Sequence, residues 1–259
     1  MSSAGLIYKF FGKEVLTQIA GEYNKTLNEE QLERLYKKLY KSFIMEMDAV
    51  DTGVKCSKEM KYECNTDLGR MVGLFNGPWN APKGAASQHK RFKKAMKLCE
   101  MTLCHKVYEQ VQSIMPAFEG VKTAWEARKE VHPSGEIMYL EISCPWKGHV
   151  NKIEEENDIL GQLKFVLYKD GRGMYRIQAV PKKVGEFGDR VSLAEQFRGL
   201  RGDELSKAVG VTDAEFCHAS GFIGGAWSMP SVIKMAEISI AAAKEAEALE
   251  PEEKKQRKE

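Results

Sequence analysis

The chain has 259 residues, 43% hydrophobic and 29% charged, and its 39 Lys and Arg against 37 Asp and Glu give a formal net charge of +2. These values exclude a disordered, collagen-like or fibrous chain, and the length suits one large domain or two smaller ones. The near-neutral total does not decide for or against a nucleic-acid partner, so any functional signal is local. Residues 1–130 carry 21 basic and 16 acidic groups, a net of +5, whereas residues 131–259 carry 18 and 21, a net of −3. That asymmetry fits two structural units.

Six cysteines (Cys56, Cys64, Cys99, Cys104, Cys144 and Cys217) form no CxxC pair and no zinc-finger spacing with histidine. They read as reduced, mostly buried thiols of an intracellular protein. The longest apolar runs, such as Ile238–Ala243, are too short to span a bilayer, and Met1–Ile7 lacks the features of a targeting peptide.

The first part is mainly helical. Ser2 or Ser3 caps a helix whose apolar stripe is Leu6, Ile7, Phe10, Phe11, Val15 and Ile19. Thr26 or Asn28 opens a second, with Leu32, Leu35, Leu39, Phe43, Ile44 and Met47 on one face, stopping near Gly53. A short helix at Leu68–Phe75 precedes the proline-rich loop Asn76–Gly84. A long helix then runs from about Gln88 to Ile114, and Pro116 ends or kinks it before a further stretch to Lys129. Met45, Met47, Met96 and Met101 read as core or half-buried.

The period then changes from helical to strand-like. His132-Pro133-Ser134-Gly135 is a turn, and Ile137–Ile142, Leu163–Tyr168, Met174–Val180 and Glu215–Phe222 read as strands. Lys169–Gly173 joins the second and third as a hairpin. Tyr175, Ile177 and Ala179 alternate with Arg176 and Gln178, giving one buried and one wet face. Asp203–Val209 is a short helix, and Pro230–Leu249 is an alanine-rich helix that Pro230 starts in its first turn. The expected fold class is α+β: a mainly helical part over 1–130, an α+β part with a mixed sheet over 131–249, and a disordered charged tail over 250–259.

Four stretches have side chains suited to ligand chemistry. In Cys217–Gly225 a strand runs to a Gly-Gly turn; His218 and Ser220 are donors, and Gly221, Gly224 and Gly225 let backbone approach an anion. Against this stands a plain strand end with Ser220 satisfied locally. Arg198 and Arg201 sit in a glycine-rich turn and suit phosphate, or else pair with Asp203, Glu204 or another carboxylate. His89-Lys90-Arg91-Phe92-Lys93-Lys94 is a solvated helix start or a phosphate-facing one. Asp48 and Asp51, three apart at a helix end, are a candidate pair for a hard divalent cation or simple helix-end caps. Glu154-Glu155-Glu156 reads as a solvated acidic loop.

The ordered set Ser2–Tyr8, Asp48-Ala49-Val50-Asp51, His132–Ile137, Cys144-Pro145-Trp146-Lys147, Tyr175–Pro181, Arg198-Gly199-Leu200-Arg201 and His218–Gly225 resembles the melanocyte-proliferating-gene exonuclease family, related to the DHH phosphoesterases. The resemblance runs from Ser2 to about Ile240. It implies a metal-dependent phosphoesterase acting as a 3′–5′ RNA exonuclease, associated with nucleus and mitochondria, with Mn²⁺ or Mg²⁺ activating water. It implies that Asp51, or less readily Asp48, is a metal ligand. It also implies that Arg198, Arg201 and His218–Gly225 (His218, Ser220, Gly221, Gly224 and Gly225) belong to a substrate-binding domain for RNA or nucleotide phosphate. The helical part is then the remainder of a DHH-type catalytic domain.

This chain departs from the family pattern in having no Asp-His-His; its five histidines are His89, His105, His132, His149 and His218. Ala226–Pro230 also replaces the family's polar, Lys/Thr-containing approach to the last helix. The expectation is a truncated member, catalytically incomplete as it stands. The alternatives are a non-catalytic RNA or nucleotide binding module, or an interaction remnant that oligomerises through the face left by the missing layer.

Overall fold

A computed structural model describes residues 1–54, 62–80 and 84–256. Cys56, part of the Asn76–Gly84 loop and the last three residues of the charged tail lie outside them. The fold is α+β. The chain forms two compact units, Met1–Met115 and Pro116–Glu259. The division falls fifteen residues before the 130/131 boundary read from charge and periodicity. The reason is packing: Val121 and Trp125 share a core with strand residues of the second unit.

The first unit comprises α1 (Ser3–Glu22), α2 (Glu29–Leu39), α3 (Met45–Asp51), α4 (Leu68–Gly73) and α5 (Ala85–Glu109). Ser2 is the N-cap of α1, its hydroxyl accepting from Gly5 N–H, and Asn28 with Gln31 forms a capping box on α2. A π-turn, Tyr40–Ile44, joins α2 to α3. A second, Gln110–Ile114, follows α5 and ends two residues before Pro116, whose missing N–H leaves no ordinary helical bond to make.

The core of this unit gathers Leu16, Leu35, Leu39, Phe43, Val107 and Val111. The expected stripe of α1 is corrected. Gly5, Tyr8, Gly12, Leu16, Ile19 and Ala20 are buried, whereas Leu6, Ile7, Phe10, Phe11 and Val15 are exposed. Tyr8 stacks on Tyr36 with centroids 4.7 Å apart, and its hydroxyl donates to the Tyr36 carbonyl. A Cβ on Gly12 would meet both rings at about 3 Å, so glycine lets the helices close. Close packing thus favours the glycine-tyrosine face over the more hydrophobic one. Met45, Met96 and Met101 are likewise exposed, against expectation.

The second unit holds α6 (Met115–Glu126), α7 (Arg128–Val131), β1 (Ile137–Leu140), α8 (Lys147–Glu156), β2 (Phe165–Lys169), β3 (Tyr175–Ala179), α9 (Gly202–Val209), β4 (Ala214–Cys217), β5 (Ile223–Ala226) and α10 (Met229–Gln256). α10 runs on past 249, where the sequence reading begins the tail. The five strands form a mixed sheet in the order β1-β2-β3-β5-β4; only β1 and β2 are parallel.

One face of the sheet carries Ile137, Phe165, Leu167, Ile177 and Cys217, packed with Leu205 of α9 and Val232 and Met235 of α10. The opposite face of β1 and β2 carries Met138, Leu140 and Val166, covered by Val121 and Trp125 of α6 and Val150 and Ile153 of α8. Burial on both faces explains why Ile137–Leu140 lacks alternation.

Helix α8 was not foreseen, and it overturns the reading of Glu154–Glu156 as a solvated loop: all three end a helix and Glu154 is fully buried. The cysteines also differ from expectation. Among the described cysteines only Cys217 is buried; Cys64, Cys99, Cys104 and Cys144 are partly buried free thiols.

Candidate phosphate-binding and metal-ligating residues

Glu215–Phe222 is not one strand. β4 ends at Cys217, and His218–Gly221 is a tight turn closed by Gly221 N–H donating to the His218 carbonyl (2.8 Å). Gly221 has φ +75°, the left-handed region that glycine tolerates. Ser220 N–H donates to His218 Nδ1 (3.1 Å), and Ser220 Oγ lies 2.9 Å from the same nitrogen. Nδ1 is therefore the acceptor, and in the neutral ring the proton sits on Nε2. The ring packs edge-on against Phe222, and His218 and Ser220 are exposed.

This geometry occurs twice. In His132-Pro133-Ser134-Gly135, Ser134 N–H donates to His132 Nδ1, Gly135 N–H donates to the His132 carbonyl, and Gly135 has φ +69°. The difference lies at Nε2. His132 Nε2 is 3.2 Å from Glu237, whereas no carboxylate partner is described for His218. The spacing His-x-Ser-Gly is the sequence signal for both turns.

Arg198 is brought to the first of these turns. Its Nε donates to the Leu193 carbonyl (2.9 Å), Leu193 N–H donates to the Gly221 carbonyl (2.8 Å), and a Cβ on Gly221 would lie 2.8 Å from Arg198 Nε. Only glycine admits the guanidinium this close to the backbone. Burial pushes the Cys217 thiol up to about 11, with the Arg198 charge acting in the opposite direction. Cys217 is therefore a thiol at neutral pH, not a nucleophile.

Arg201, the N-cap of α9, lies elsewhere. Its guanidinium is 6.0 Å from the Phe216 ring, and that of Arg176 is 4.7 Å from the same ring. The register explains the cluster: Arg176, Gly225 and Phe216 are partners on one row across β3, β5 and β4. Gly225 has no side chain, so Arg176 and Phe216 meet over the middle strand. Asp170 Oδ2 accepts from Arg176 Nε and Nη2 at 3.0 and 2.8 Å and holds it there. Among the described residues neither Arg198 nor Arg201 pairs with Asp203, Glu204 or another carboxylate; a carbonyl and a ring take those places. Sequence reasoning missed Arg176 and Phe216 as members of this cluster, although the alternation of β3 already put Arg176 on the wet face.

Gly224 and Gly225 correct a further expectation. They form no turn but sit inside β5, both buried. A Cβ on Gly224 would meet Leu193, Met235 and the Phe216 carbonyl at 3.0 Å, and one on Gly225 would meet Phe216 Cε1 at 3.0 Å. Each glycine serves the packing of one sheet face, and neither offers its N–H to a ligand from a loop.

Asp48 and Asp51 have different fates. Asp48 is buried, and its Oδ1 accepts from Ser2 N–H (2.8 Å) and Ser2 Oγ–H (2.6 Å), while Oδ2 accepts from Tyr40 (3.2 Å). The Ser2 hydroxyl, then the Ser2 N–H, hold this carboxyl below its usual range against the opposing effect of burial. Gly5 touches the same carboxylate; a Cβ there would lie 2.6 Å from Asp48 Cγ. Asp51 is exposed at the end of α3. A hard divalent ion takes six or more oxygens. Among the described residues no group of three or more His, Cys, Asp or Glu converges, so this donor set does not fit a resident ion by itself. Asp51 is the one carboxylate of the pair open to share.

These features define a two-unit α+β protein with a paired His-x-Ser-Gly turn and an arginine-lined sheet. The MYG1 exonuclease family, described as "Uncharacterised protein family (UPF0160)", matches residues 1–240. The chain belongs to this family. It is 38% identical over 239 residues to the MYG1 protein of Dictyostelium discoideum, covering 91% of this chain and 71% of that protein. To the MYG1 exonucleases of Bos taurus and Homo sapiens it is 37% and 36% identical over 244 residues, or 93% of this chain. The chain spans only 63% and 64% of the length of these two relatives. No solved structure matches. Among the described residues no helix is long and apolar enough to cross a membrane.

Proposed function

We propose that this chain supplies the RNA-binding part of a metal-dependent phosphodiesterase, with Arg198 and the His218–Gly221 turn receiving a backbone phosphate. The observation that carries this is the contact of Arg198 with Gly221, which puts a guanidinium, the His218 Nε2–H and the exposed Ser220 hydroxyl on one turn. Arginine and imidazole N–H groups make charge-assisted bonds to phosphate oxygens. Gly221 keeps the turn open for them. Arg201 beside Phe216 offers a second cation and a ring on which a base stacks.

Mn²⁺ or Mg²⁺ would supply Lewis-acid activation of water. Asp51 is this chain's contribution to such an ion, and one carboxylate does not hold it. On this reading the chain binds RNA without phosphodiesterase activity, because among the described residues no group of three or more metal-ligating side chains converges. Mn²⁺-dependent trimming of RNA by the purified chain, abolished by Asp51→Ala, would overturn that part of the reading.

Binding is tested by anisotropy with a labelled RNA of about 12 nucleotides. Affinity falls steeply between about 50 and about 200 mM salt as counterions are released. Arg198→Ala with Arg201→Ala weakens it roughly tenfold per lost contact. Unchanged affinity in that double variant refutes the reading.

A second reading, self-association, is favoured by the exposed row Leu6, Ile7, Phe10 and Phe11 on α1. Contiguous apolar surface of this kind marks an interaction face.

A further inference from the structure

Helix α4, the residues after it as far as Trp79 and the start of α5 line an open hollow of about 530 Å³ in the first unit. Phe75, Asn76, Trp79, Gln88, Arg91 and Phe92 line it. Its size falls within the ~300–1,000 Å³ of small-molecule clefts. Trp79 stands 89% exposed at the rim and Phe92 63% exposed. Neither ring belongs to the hydrophobic core of this unit. Leaving two large rings in water forgoes the stabilisation their burial provides.

Gln88, Arg91, Phe92 and Ala95 recur at helical spacing, so one face of α5 forms a wall. Arg91 is braced in place by donating to Ser87 Oγ at 2.7 Å. Around the rest of that helix surface His89, Lys90, Lys93 and Lys94 are exposed, and between Asp67 and Glu100 the sequence holds no acidic residue. An apolar peptide or lipid tail would gain from the rings but not from this charge. A polyanion with flat π-faced groups gains from both.

We propose that this hollow is a base-stacking subsite for single-stranded nucleic acid. A nucleobase enters against Trp79 and Phe92, the amides of Asn76 and Gln88 address its edge, and Arg91 with the neighbouring lysines holds the flanking phosphates. Aromatic stacking of this type is tolerant of base identity and sensitive to salt. The proposal rests on the reading of the chain as an RNA binder, but it uses residues of the first unit only. It also gives the basic run His89–Lys94 a function that the turn at Arg198 does not use.

The test compares two labelled probes of about 12 units on the full chain: oligoadenylate RNA and an abasic ribose-phosphate strand of equal length. The subsite predicts that oligoadenylate binds about 5- to 150-fold more tightly, the range of one stacked base. Trp79→Ala and, separately, Phe92→Ser shrink that preference and leave affinity for the abasic strand unchanged; both side chains are largely exposed, so the fold survives their loss. Arg198→Ala with Arg201→Ala lowers affinity for both probes and keeps the part of the preference that Trp79→Ala and Phe92→Ser remove.

Equal affinity of the unaltered chain for the two probes overturns the subsite, as does a preference of undiminished size in both Trp79→Ala and Phe92→Ser. If the arginine double variant binds normally while Trp79→Ala loses the preference, the subsite stands and the phosphate role of Arg198 falls. Absence of binding to either probe overturns both.

Discussion

Glu154 and Arg190 meet as a buried fork: Nη1 to Oε1 is 2.8 Å and Nη2 to Oε2 is 2.6 Å, with Glu154 fully excluded from solvent. The same carboxylate accepts from Gly161 N–H and Leu163 N–H, and Arg190 Nη1 also donates to the Leu163 carbonyl. This one residue therefore clamps α8, the loop into β2 and the segment after β3. With its remaining lone pairs satisfied, the pair is costly to break from one side. Glu154→Ala strands the guanidinium and is expected to lower unfolding free energy by ~3–5 kcal/mol. Glu155→Ala, one position along and exposed, stays within about 0.5 kcal/mol. Urea unfolding of the two variants side by side measures the contrast.

Acid should act on the first unit through Asp48. Its folded-state carboxyl is held below the usual carboxylate range, mainly by the Ser2 hydroxyl. A depressed pKa contributes stability that is fully present above the unfolded value and is lost as pH falls through the folded one. The contribution is thus intact at neutral pH and disappears only below about pH 4. Asp48→Asn removes it. The expected result is a lower melting temperature for Asp48→Asn at neutral pH and convergence with the unaltered chain in strong acid. A constant gap at every pH would contradict the assignment.

The outward row on α1 carries a different expectation. Ile7 is 60% and Phe10 72% exposed, so charging them disturbs no core. Ile7→Glu with Phe10→Glu is expected to leave thermal stability nearly unchanged and to reduce concentration-dependent association, measured by sedimentation velocity. An unaltered chain that is monomeric at all concentrations would argue against this face as an interface.

Local chemistry was legible from residues alone. The caps to within two candidates each (Ser2 or Ser3, Thr26 or Asn28), the Lys169–Gly173 hairpin, Pro230 in the first turn of α10 and the α+β class follow from spacing and turn preference, which act over a few neighbours; the structure selects Ser2 and Asn28. The family, too, was legible in the ordered motifs. What required tertiary structure is which of two apolar faces of α1 is buried, because Tyr8 and Gly12 find Tyr36 only after α1 and α2 pack. Long-range register likewise decided that Gly224 and Gly225 lie inside a strand, that Arg176 reaches Phe216 across Gly225, and that Glu154 is buried against a partner 36 residues away. The opening charge asymmetry suggested two units, but packing set their boundary at Met115, where α6 joins the core of the sheet. Periodicity reports that a face is apolar, whereas steric fit and charge pairing between distant segments decide what that face meets.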